Sequence, residues 1–328
     1  MHHSHPELRK LDALFLPRSI AVIGASDDPL RIGGRPLSYA AQFGYGGRIY
    51  PINPTRSTVQ GHKAYASVRD VDAEVDCAII AVPGAMVPEA LRDCAAKGVR
   101  GVVLFTGGFA ELGEEGVRAQ AEVSRIVREN GMRLLGPNCI GAFSLPHRSY
   151  VSFMSGLPDP GTLPPGKARI GLASQSGGYG AHILKLAQQR GLAVTQMVTT
   201  GNEADLGVGE VIHWLAESPD TDIIVGYIEG VRDRDAFIAG LAAAHRKRKP
   251  VVLLKVGATE AGAAAAASHT AALAGADGIY NAVLRDYGAY RASSTEEVLD
   301  IAYALSTGKP LRERKLCVVS VSGGAGVQ

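Results

Sequence analysis

The sequence of 328 residues is poor in the features of secreted, membrane-spanning and nucleic-acid-binding proteins. Its four cysteines (Cys77, Cys94, Cys139 and Cys317) are widely spread, form no CxxC pair and follow no signal peptide, which favours reduced thiols in a cytoplasm. No apolar run reaches the roughly 18 residues that a membrane span needs. The formal net charge of +2 excludes a strong positive field. A cytoplasmic protein without a membrane or nucleic-acid partner is therefore expected.

The first half of the chain alternates short apolar runs with longer amphipathic stretches. Because continuous apolar strands separated by helices are typical of a parallel sheet covered on both faces, we predict a Rossmann-like domain over residues 18–150, after an N-terminal lead of residues 1–17. Glycines close the predicted helices at 87–98 and 114–131. The predicted strands are SIAVIG (19–24), GRIYPI (47–52), DCAIIAV (76–82), GVVLFT (101–106) and RLLG (133–136).

A stretch rich in proline and glycine predicts a linker over residues 151–166. The α/β pattern then restarts, and we predict a flavodoxin-like, doubly wound parallel-sheet domain over residues 167–312. Residues 313–328 look like the start of a further α/β unit that is cut off at its first turn, so the chain is predicted to be a fragment or a truncated member of something larger. The predicted strands are ARIGLAS (168–174), AVTQMVT (193–199), TDIIVGYIEG (221–230) and VVLLKVG (251–257).

The turn after the first strand has the composition of a phosphate-binding loop. Backbone amides from Gly24 onward and the hydroxyl of Ser26 could meet a phosphate at a helix start. An NAD site would need a carboxylate at the end of the second strand, but the sequence there runs from Asn53 to Arg56 without one. Since Arg56 would attract a ribose phosphate, the loop favours a phosphorylated nucleotide other than NAD.

Other strand ends of the first domain carry turn residues that could line the same crevice. In an open α/β sheet the carboxyl ends of the strands form the ligand site. Ordinary tight turns between strands and helices are the alternative explanation for each of them. The candidates are Pro83, Thr106, Gly107 and Asn138.

The second domain begins with ASQSGG (173–178), a predicted phosphate cradle at a helix N-terminus. Hydroxyls of Ser174 and Ser176 and the backbone amides of Gly177 and Gly178 are its candidate ligands, and no lysine is present to make it a P-loop. GNEAD (201–205) adds Asn202 and Glu203 ahead of another helix. Helix capping is the alternative role for these two side chains.

A lone histidine, His269, lies in the alanine-rich stretch ASHTAALAG (267–275). It follows the strand 251–257, so it is expected at the same sheet edge as Glu229, which ends the strand before. A carboxylate there could hydrogen-bond one ring nitrogen and leave the other nucleophilic. Small neighbours suit a histidine that attacks a phosphoryl group and then moves to a second site. The alternative is a histidine whose ring nitrogens are hydrogen-bonded in the core or on the surface and that takes no part in a reaction.

Four motifs in this order, GPNCIG, ASQSGG, GNEAD and SHTAALAG, resemble the NDP-forming acyl-CoA synthetases over nearly the whole chain. The resemblance implies that His269 is phosphorylated, that Glu229 supports it, and that CoA is the ligand of the strand-end residues of the first domain. It carries CoA binding onto Gly24, Ser26, Arg56, Pro83 and Thr106, and the phosphate cradle onto Ser174, Ser176 and Gly177. One departure is Ala271, where the family usually has glycine.

The implied reaction interconverts acyl-CoA, phosphate and NDP with a carboxylic acid, CoA and NTP. The ATP-grasp domains that hold ATP or ADP in this family are absent from these residues, and no convincing metal ligands are present. We therefore expect ATP or ADP and Mg²⁺ on domains in a longer polypeptide or a separate subunit, and an oligomeric assembly. A CoA-sensing module, as in acetyltransferase fusions, is the alternative, although an intact His269 argues against it. A nicotinamide dehydrogenase is disfavoured by the missing carboxylate.

Overall fold

The computed structural model describes residues 6–164, 166–257, 277–308 and residue 319, and it contains two α/β units. Within these residues, no helix is both long enough and apolar enough to cross a bilayer. The helices of the first unit are α1 (Pro6–Phe15), α2 (Arg35–Gln42), α3 (Val87–Lys97) and α4 (Glu114–Glu129). Its strands are β1 (Ser19–Ile23), β2 (Arg48–Ile52), β3 (Thr58–Val59), β4 (His62–Lys63), β5 (Cys77–Ile80), β6 (Gly101–Leu104) and β7 (Arg133–Leu135).

The second unit follows directly after β7. Its strands are β8 (Gly141–Ser144), β9 (Ser149–Ser152), β10 (Arg169–Ser174), β11 (Ala193–Thr199), β12 (Ile223–Ile228), β13 (Val251–Lys255) and β14 (Tyr290–Ala292). Its helices are α5 (Gly177–Gln189), α6 (Val208–Glu217), α7 (Arg234–Arg246), α8 (Asp277–Asp286) and α9 (Thr295–Thr307). The predicted start of a third unit at 313–328 lies outside the described residues, except for Val319.

The first sheet is parallel and has the strand order β2-β1-β5-β6-β7. Its central strands are apolar and buried throughout, as expected for strands covered by helices on both faces. The order reverses between β1 and β5, so the ligand crevice of such a sheet lies beyond the ends of these two strands. The Rossmann-like prediction is confirmed.

The second sheet has the order β14-β13-β12-β10-β11-β8-β9. Its five parallel strands follow the flavodoxin order, with the switch point between β10 and β12, which confirms the predicted architecture. It is a mixed sheet, however, since β8 pairs antiparallel with both β11 and β9. This hairpin corrects the predicted boundary at residue 150, which falls inside β9, and the linker start at 151, because β9 continues to Ser152.

Helix α1 falls within the N-terminal lead for which the sequence predicted no element. It packs against β6 and β7 of the first sheet and reaches β8 and β9 of the second. The Phe15 ring meets the fully buried Trp214 of α6 edge-on, with ring centroids 4.8 Å apart. The Trp214 indole Nε1 donates to Asp12 Oδ1 at 3.0 Å. One buried apolar cluster therefore extends through both units.

This shared cluster determines what limited proteolysis should show. The predicted linker is exposed at Ser155, Gly156 and Asp159, so we expect the first cuts between residues 155 and 162. The two fragments should nevertheless co-elute on gel filtration and separate only in denaturant, because buried apolar contacts hold them together. Fragments that separate without denaturant would show that the shared cluster does not hold the two units together, and a first cut inside β5 or β13 would contradict the linker.

Candidate functional site

Gly24 brings three strand ends of the first sheet together. Its backbone N–H donates to the Ile52 carbonyl oxygen at 3.1 Å, and its φ of +84° is in the left-handed region. A Cβ atom on Gly24 would lie 2.5 Å from the Ala81 carbonyl oxygen, too close for any side chain. Glycine therefore permits the ends of β1, β2 and β5 to approach one another at the switch point.

A polar cleft of about 790 Å³ opens beside Gly24 and contains the predicted residues Ser26, Asn53 and Arg56. The Asn53 side-chain amide donates to the Ala25 carbonyl oxygen at 2.9 Å and fixes the loop. The Arg56 guanidinium pairs with the Asp27 carboxylate at 2.6 Å, and both side chains are about half exposed. The structure thus brings these predicted residues to one crevice, with a cation at its rim.

A second, more apolar cleft of about 200 Å³ also borders Gly24 and is lined by Ile23, Val82 and Met86 among others. Pro83 does not line either cleft, and its carbonyl oxygen accepts from Met86 N at 2.9 Å in an exposed turn. Thr106 lies at the next strand end, where its hydroxyl donates to the Val82 carbonyl oxygen at 2.7 Å. A polar and an apolar cleft side by side suit a ligand with phosphates and a planar base.

The predicted residues Asn138 and Asn202 meet where the two units join. The Asn138 side-chain amide donates to Asn202 Oδ1 at 3.3 Å, and the Asn202 amide donates to Glu111 Oε2 at 2.5 Å and to Gln120 Oε1 at 3.1 Å. Gly107 lies beside them, since its Cβ position is 3.2 Å from both Asn138 Oδ1 and Glu111 Oε1. Asn202 therefore has its amide nitrogen and oxygen engaged within the protein, as a joint between the units.

Glu111 is held ionised at this joint. Burial opposes its charge, but hydrogen bonds from the Asn202 amide and from the backbone N–H groups of Gly108 and Phe109 keep the pKa of the carboxyl below its ordinary value. A charge-assisted bond to a buried amide is stronger than a neutral one. Polar contacts as well as the shared apolar cluster therefore join the two units.

Glu203 has the contacts of a helix cap, the alternative role that the sequence left open. Its Oε1 accepts from the Thr200 hydroxyl at 2.8 Å and from the Val208 N–H in the first turn of α6 at 2.9 Å. Burial raises the pKa of this carboxyl. A buried carboxylate with these bonds does not present a ligand for an anion.

The N-terminus of α5 carries the predicted phosphate cradle. Ser176 is its N-cap, and its hydroxyl accepts from Tyr179 N at 3.2 Å. The Ser174 hydroxyl donates to the Ser176 carbonyl oxygen at 2.6 Å and shapes the turn from a fully buried position. The Cβ position of Gly178 faces open space, whereas that of Gly177 meets Ile140. The first turn of α5 therefore offers its N–H groups beside an open surface.

Glu229 lies across the switch point from this helix start, because β12 is hydrogen-bonded to β10 in register Ser174 with Tyr227. Its backbone N–H donates to Gln175 Oε1 at 2.6 Å, and Gly230 N donates to the same oxygen at 3.0 Å. The Gln175 amide donates back to the Gly230 carbonyl oxygen at 2.7 Å. The loop that carries the phosphate cradle thus also fixes the backbone that carries the carboxylate.

Two tyrosines extend this connection. Burial and a hydrogen bond with the Glu229 carboxylate raise the pKa of Tyr227. The Tyr227 ring stacks on Tyr179 of α5 with centroids 4.4 Å apart, and the Tyr179 hydroxyl lies 2.6 Å from the Thr295 hydroxyl. The sequence analysis did not identify Gln175 or either tyrosine as a site residue, although Gln175 lies between the predicted residues Ser174 and Ser176.

Most of the predicted residues therefore fall into three groups: the cleft at Gly24, the joint at Asn202, and the switch point at Ser176 and Glu229. Pro83 lies in an exposed turn, and Glu203 contacts the first turn of α6. His269 lies outside the described residues, which end at Gly257 and resume at Asp277.

Comparison with known proteins matches both units. Residues 18–144 match the CoA binding domain and residues 167–305 the succinyl-CoA ligase like flavodoxin domain. The chain is 38% identical to the alpha subunit of an ADP-forming acetate–CoA ligase II from Pyrococcus furiosus, over 97% of this chain and 67% of that subunit. It is 37% identical to an ADP-forming 4-hydroxybutyrate–CoA ligase from Nitrosopumilus maritimus, over 95% of this chain and 44% of that protein.

A solved structure agrees with these relatives. It is the dinucleotide forming acetyl-coenzyme A synthetase 1 of Candidatus Korarchaeum cryptofilum in complex with phosphate and ADP, with a TM-score of 0.89 and 35% identity over 97% of this chain and 67% of that one. A CoA-binding unit followed by a succinyl-CoA ligase-like flavodoxin unit places the chain in the class of the acid–CoA ligases named above. The chain belongs to the ADP-forming acyl-CoA synthetase family, and it spans about two thirds of the alpha subunit and under half of the longer relative named above.

Proposed function

We propose that the chain is the CoA-binding and phosphoryl-carrier part of an acyl-CoA synthetase that interconverts acyl-CoA, phosphate and NDP with a carboxylic acid, CoA and NTP. The observation that supports this most is the buried Glu229, fixed by Gln175 beside the N-terminus of α5 at the switch point of the second sheet. A carboxylate and an anion-binding helix start at one edge are what a histidine phosphoryl carrier needs.

The proposed reaction proceeds in three transfers. A phosphate oxygen attacks the thioester carbonyl carbon, the carbon–sulfur bond breaks, and CoA leaves as the thiolate while acyl phosphate forms. A ring nitrogen of His269 then attacks phosphorus, and the bond from phosphorus to the acyl oxygen breaks to release the carboxylate. The phosphohistidine finally gives its phosphoryl group to NDP. Each transfer is reversible, so the same residues serve synthesis of acyl-CoA.

The residues at the switch point stabilise charge in these transfers. Backbone N–H groups at Gly177 and Gly178, with the partial positive charge of the helix start, hold the phosphate oxygens. The Glu229 carboxylate accepts a hydrogen bond from the second ring nitrogen of His269 and favours the positive charge that develops on the ring. The polar and apolar clefts beside Gly24 hold the phosphates and the base of CoA.

Nucleotide and magnesium are assigned in this proposal to ATP-grasp domains elsewhere in a longer polypeptide or on another subunit. Across the described ranges, no group of three or more His, Cys, Asp or Glu side chains is arranged to hold a metal ion. The test is intact-mass measurement after incubation with acyl-CoA, phosphate and the ATP-grasp partner. A mass increase of one phosphoryl group supports the proposal, and CoA binding without phosphorylation favours a CoA-sensing module.

Arg56 provides a test of the CoA cleft. Because a charge-assisted hydrogen bond contributes about 1.5 to 3 kcal/mol, Arg56→Ala should weaken CoA roughly ten- to a hundredfold by isothermal titration. Arg92→Ala is the matched control, since Arg92 of α3 forms a comparable exposed ion pair with Glu122 of α4 and lines neither cleft. An unchanged CoA affinity in Arg56→Ala would remove this residue from the site.

A further inference from the structure

Arg291, in β14, contacts both chain segments that flank residues 258–276. Its guanidinium donates to both carboxylate oxygens of Asp277, from Nη1 at 2.9 Å and from Nη2 at 2.6 Å. The same Nη2 reaches the carbonyl oxygen of Lys255 at 3.3 Å, and Nη1 also donates to Asn281 Oδ1 at 2.8 Å. One planar side chain thus joins the last residue of β13 to the first residue of α8.

Limited exposure to solvent strengthens the ion pair between Arg291 and Asp277. The Arg291 side chain is 16% exposed and that of Asp277 37%, so solvent screens the pair less than it screens a surface pair. A bidentate arginine–carboxylate pair fixes direction as well as distance. Lysine could replace the charge of Arg291 but could not reach the carboxylate and the carbonyl oxygen in the same planar geometry.

A second set of contacts holds α8 against the same sheet edge. The Lys255 ammonium lies 4.7 Å from the centroid of the Tyr280 ring, and the Tyr280 hydroxyl accepts from Val231 N at 3.2 Å. Burial and the neighbouring Arg291 charge lower the pKa of Lys255. Lys255 is also paired in register with Ile228, the residue before Glu229. The Arg291 contacts are therefore adjacent to Glu229, the carboxylate that is proposed to support His269.

We propose that Arg291 is a positioning residue for phosphoryl transfer: by bridging Lys255 and Asp277 it holds together the two ends of the chain segment that carries His269, next to Glu229. The inference rests on the proposed carrier role of His269. Tying the ends of a segment lowers the entropy cost of bringing a residue within it to a fixed point, and so raises the effective concentration of the imidazole there. Arg291 itself does not touch the reacting atoms.

The test compares three variants in the holoenzyme with its ATP-grasp partner: Arg291→Met, Arg291→Lys and Arg285→Met. Arg285 is an exposed arginine of α8 and serves as the matched control. Arg291→Met should slow formation of the acid-labile phosphoprotein roughly ten- to a hundredfold, with the KM for acyl-CoA unchanged, because positioning and not CoA binding is lost. Arg291→Lys should recover only part of the rate, and Arg285→Met should match the parent protein.

A double variant that adds Asp277→Asn tests whether Arg291 and Asp277 act through the same contact. If the bridge acts as a unit, the double variant Arg291→Met/Asp277→Asn should be no slower than Arg291→Met alone. Phosphorylation of Arg291→Met at the rate of Arg285→Met would overturn the inference. So would a rate loss that is fully matched by loss of CoA affinity and of thermal stability, since that describes a merely structural residue. Loss of labelling in His269→Ala with normal labelling in Arg291→Met would refute this inference and leave the proposed function standing.

Discussion

His269→Ala is expected to abolish the acid-labile phosphoprotein and to lower net synthetase activity to below about one thousandth, while CoA affinity stays unchanged. In the proposed reaction the imidazole forms the covalent bond to phosphorus, so no neighbouring group can substitute for it. The proposed CoA cleft beside Gly24 lies in the other unit, which the substitution does not touch. Phosphate on imidazole is labile in acid and stable in base, so the readout is acid and base stability of the label together with isothermal titration of CoA.

The sequence around His269 supplies internal controls. Ser268→Ala and Thr270→Val remove the neighbouring hydroxyls, and neither variant should lose the acid-labile label. Glu229→Gln should keep the fold and slow phosphorylation, because it removes the negative charge that is proposed to support the ring but keeps the shape of the side chain. An acid-labile label that persists in His269→Ala, with every missing domain supplied, would refute the carrier role.

Gly24→Ala is expected to weaken CoA binding roughly a hundredfold or more, about 2.8 kcal/mol. The added Cβ would lie 2.5 Å from the Ala81 carbonyl oxygen, a backbone atom that cannot turn away. The ends of β1 and β5 must therefore move apart, and both clefts beside Gly24 lose their shape. Isothermal titration of CoA and the thermal midpoint are measured on the same preparations.

Gly98→Ala is the matched control for this experiment. Gly98 ends α3 with a φ of +78°, close to that of Gly24, but nothing lies within 4 Å of its Cβ position. Both variants should lose roughly 1 kcal/mol of stability from the left-handed backbone. Only Gly24→Ala should also lose CoA affinity, and a similar CoA affinity in the two variants would contradict the assignment of the ligand to this switch point.

The sequence was most informative where the physics is local. Continuous apolar runs such as those of β5 and β6 bury both faces of a strand, and the glycine after α3 adopts the left-handed conformation that ends the helix. Such features depend on neighbours within a few residues. The alternation of strands and helices, and with it the two α/β units, could therefore be predicted from the pattern.

The features that the sequence did not predict depend on distant contacts. The hairpin β8–β9 contains buried serines, Ser144, Ser149 and Ser152, and so does not read as an apolar strand pair until it is placed beside β11. Asn202 was predicted to bind phosphate, but its amide is bonded to Glu111, which lies 91 residues away. Composition and spacing do not reveal which of several polar side chains the fold will pair.

Helix α1 affects which parts of the chain can be exchanged between relatives. It precedes the matched CoA binding domain, residues 18–144, yet its Asp12 and Phe15 hold Trp214 of the other unit. An exchange of only one unit between relatives would separate Trp214 from Asp12 and Phe15. Where the incoming α1 has no acceptor at the position of Asp12, the buried indole N–H would lose this hydrogen bond, at a cost of about 1 to 3 kcal/mol. Chimaeras that exchange the second unit are therefore expected to be more stable when α1 is exchanged with it.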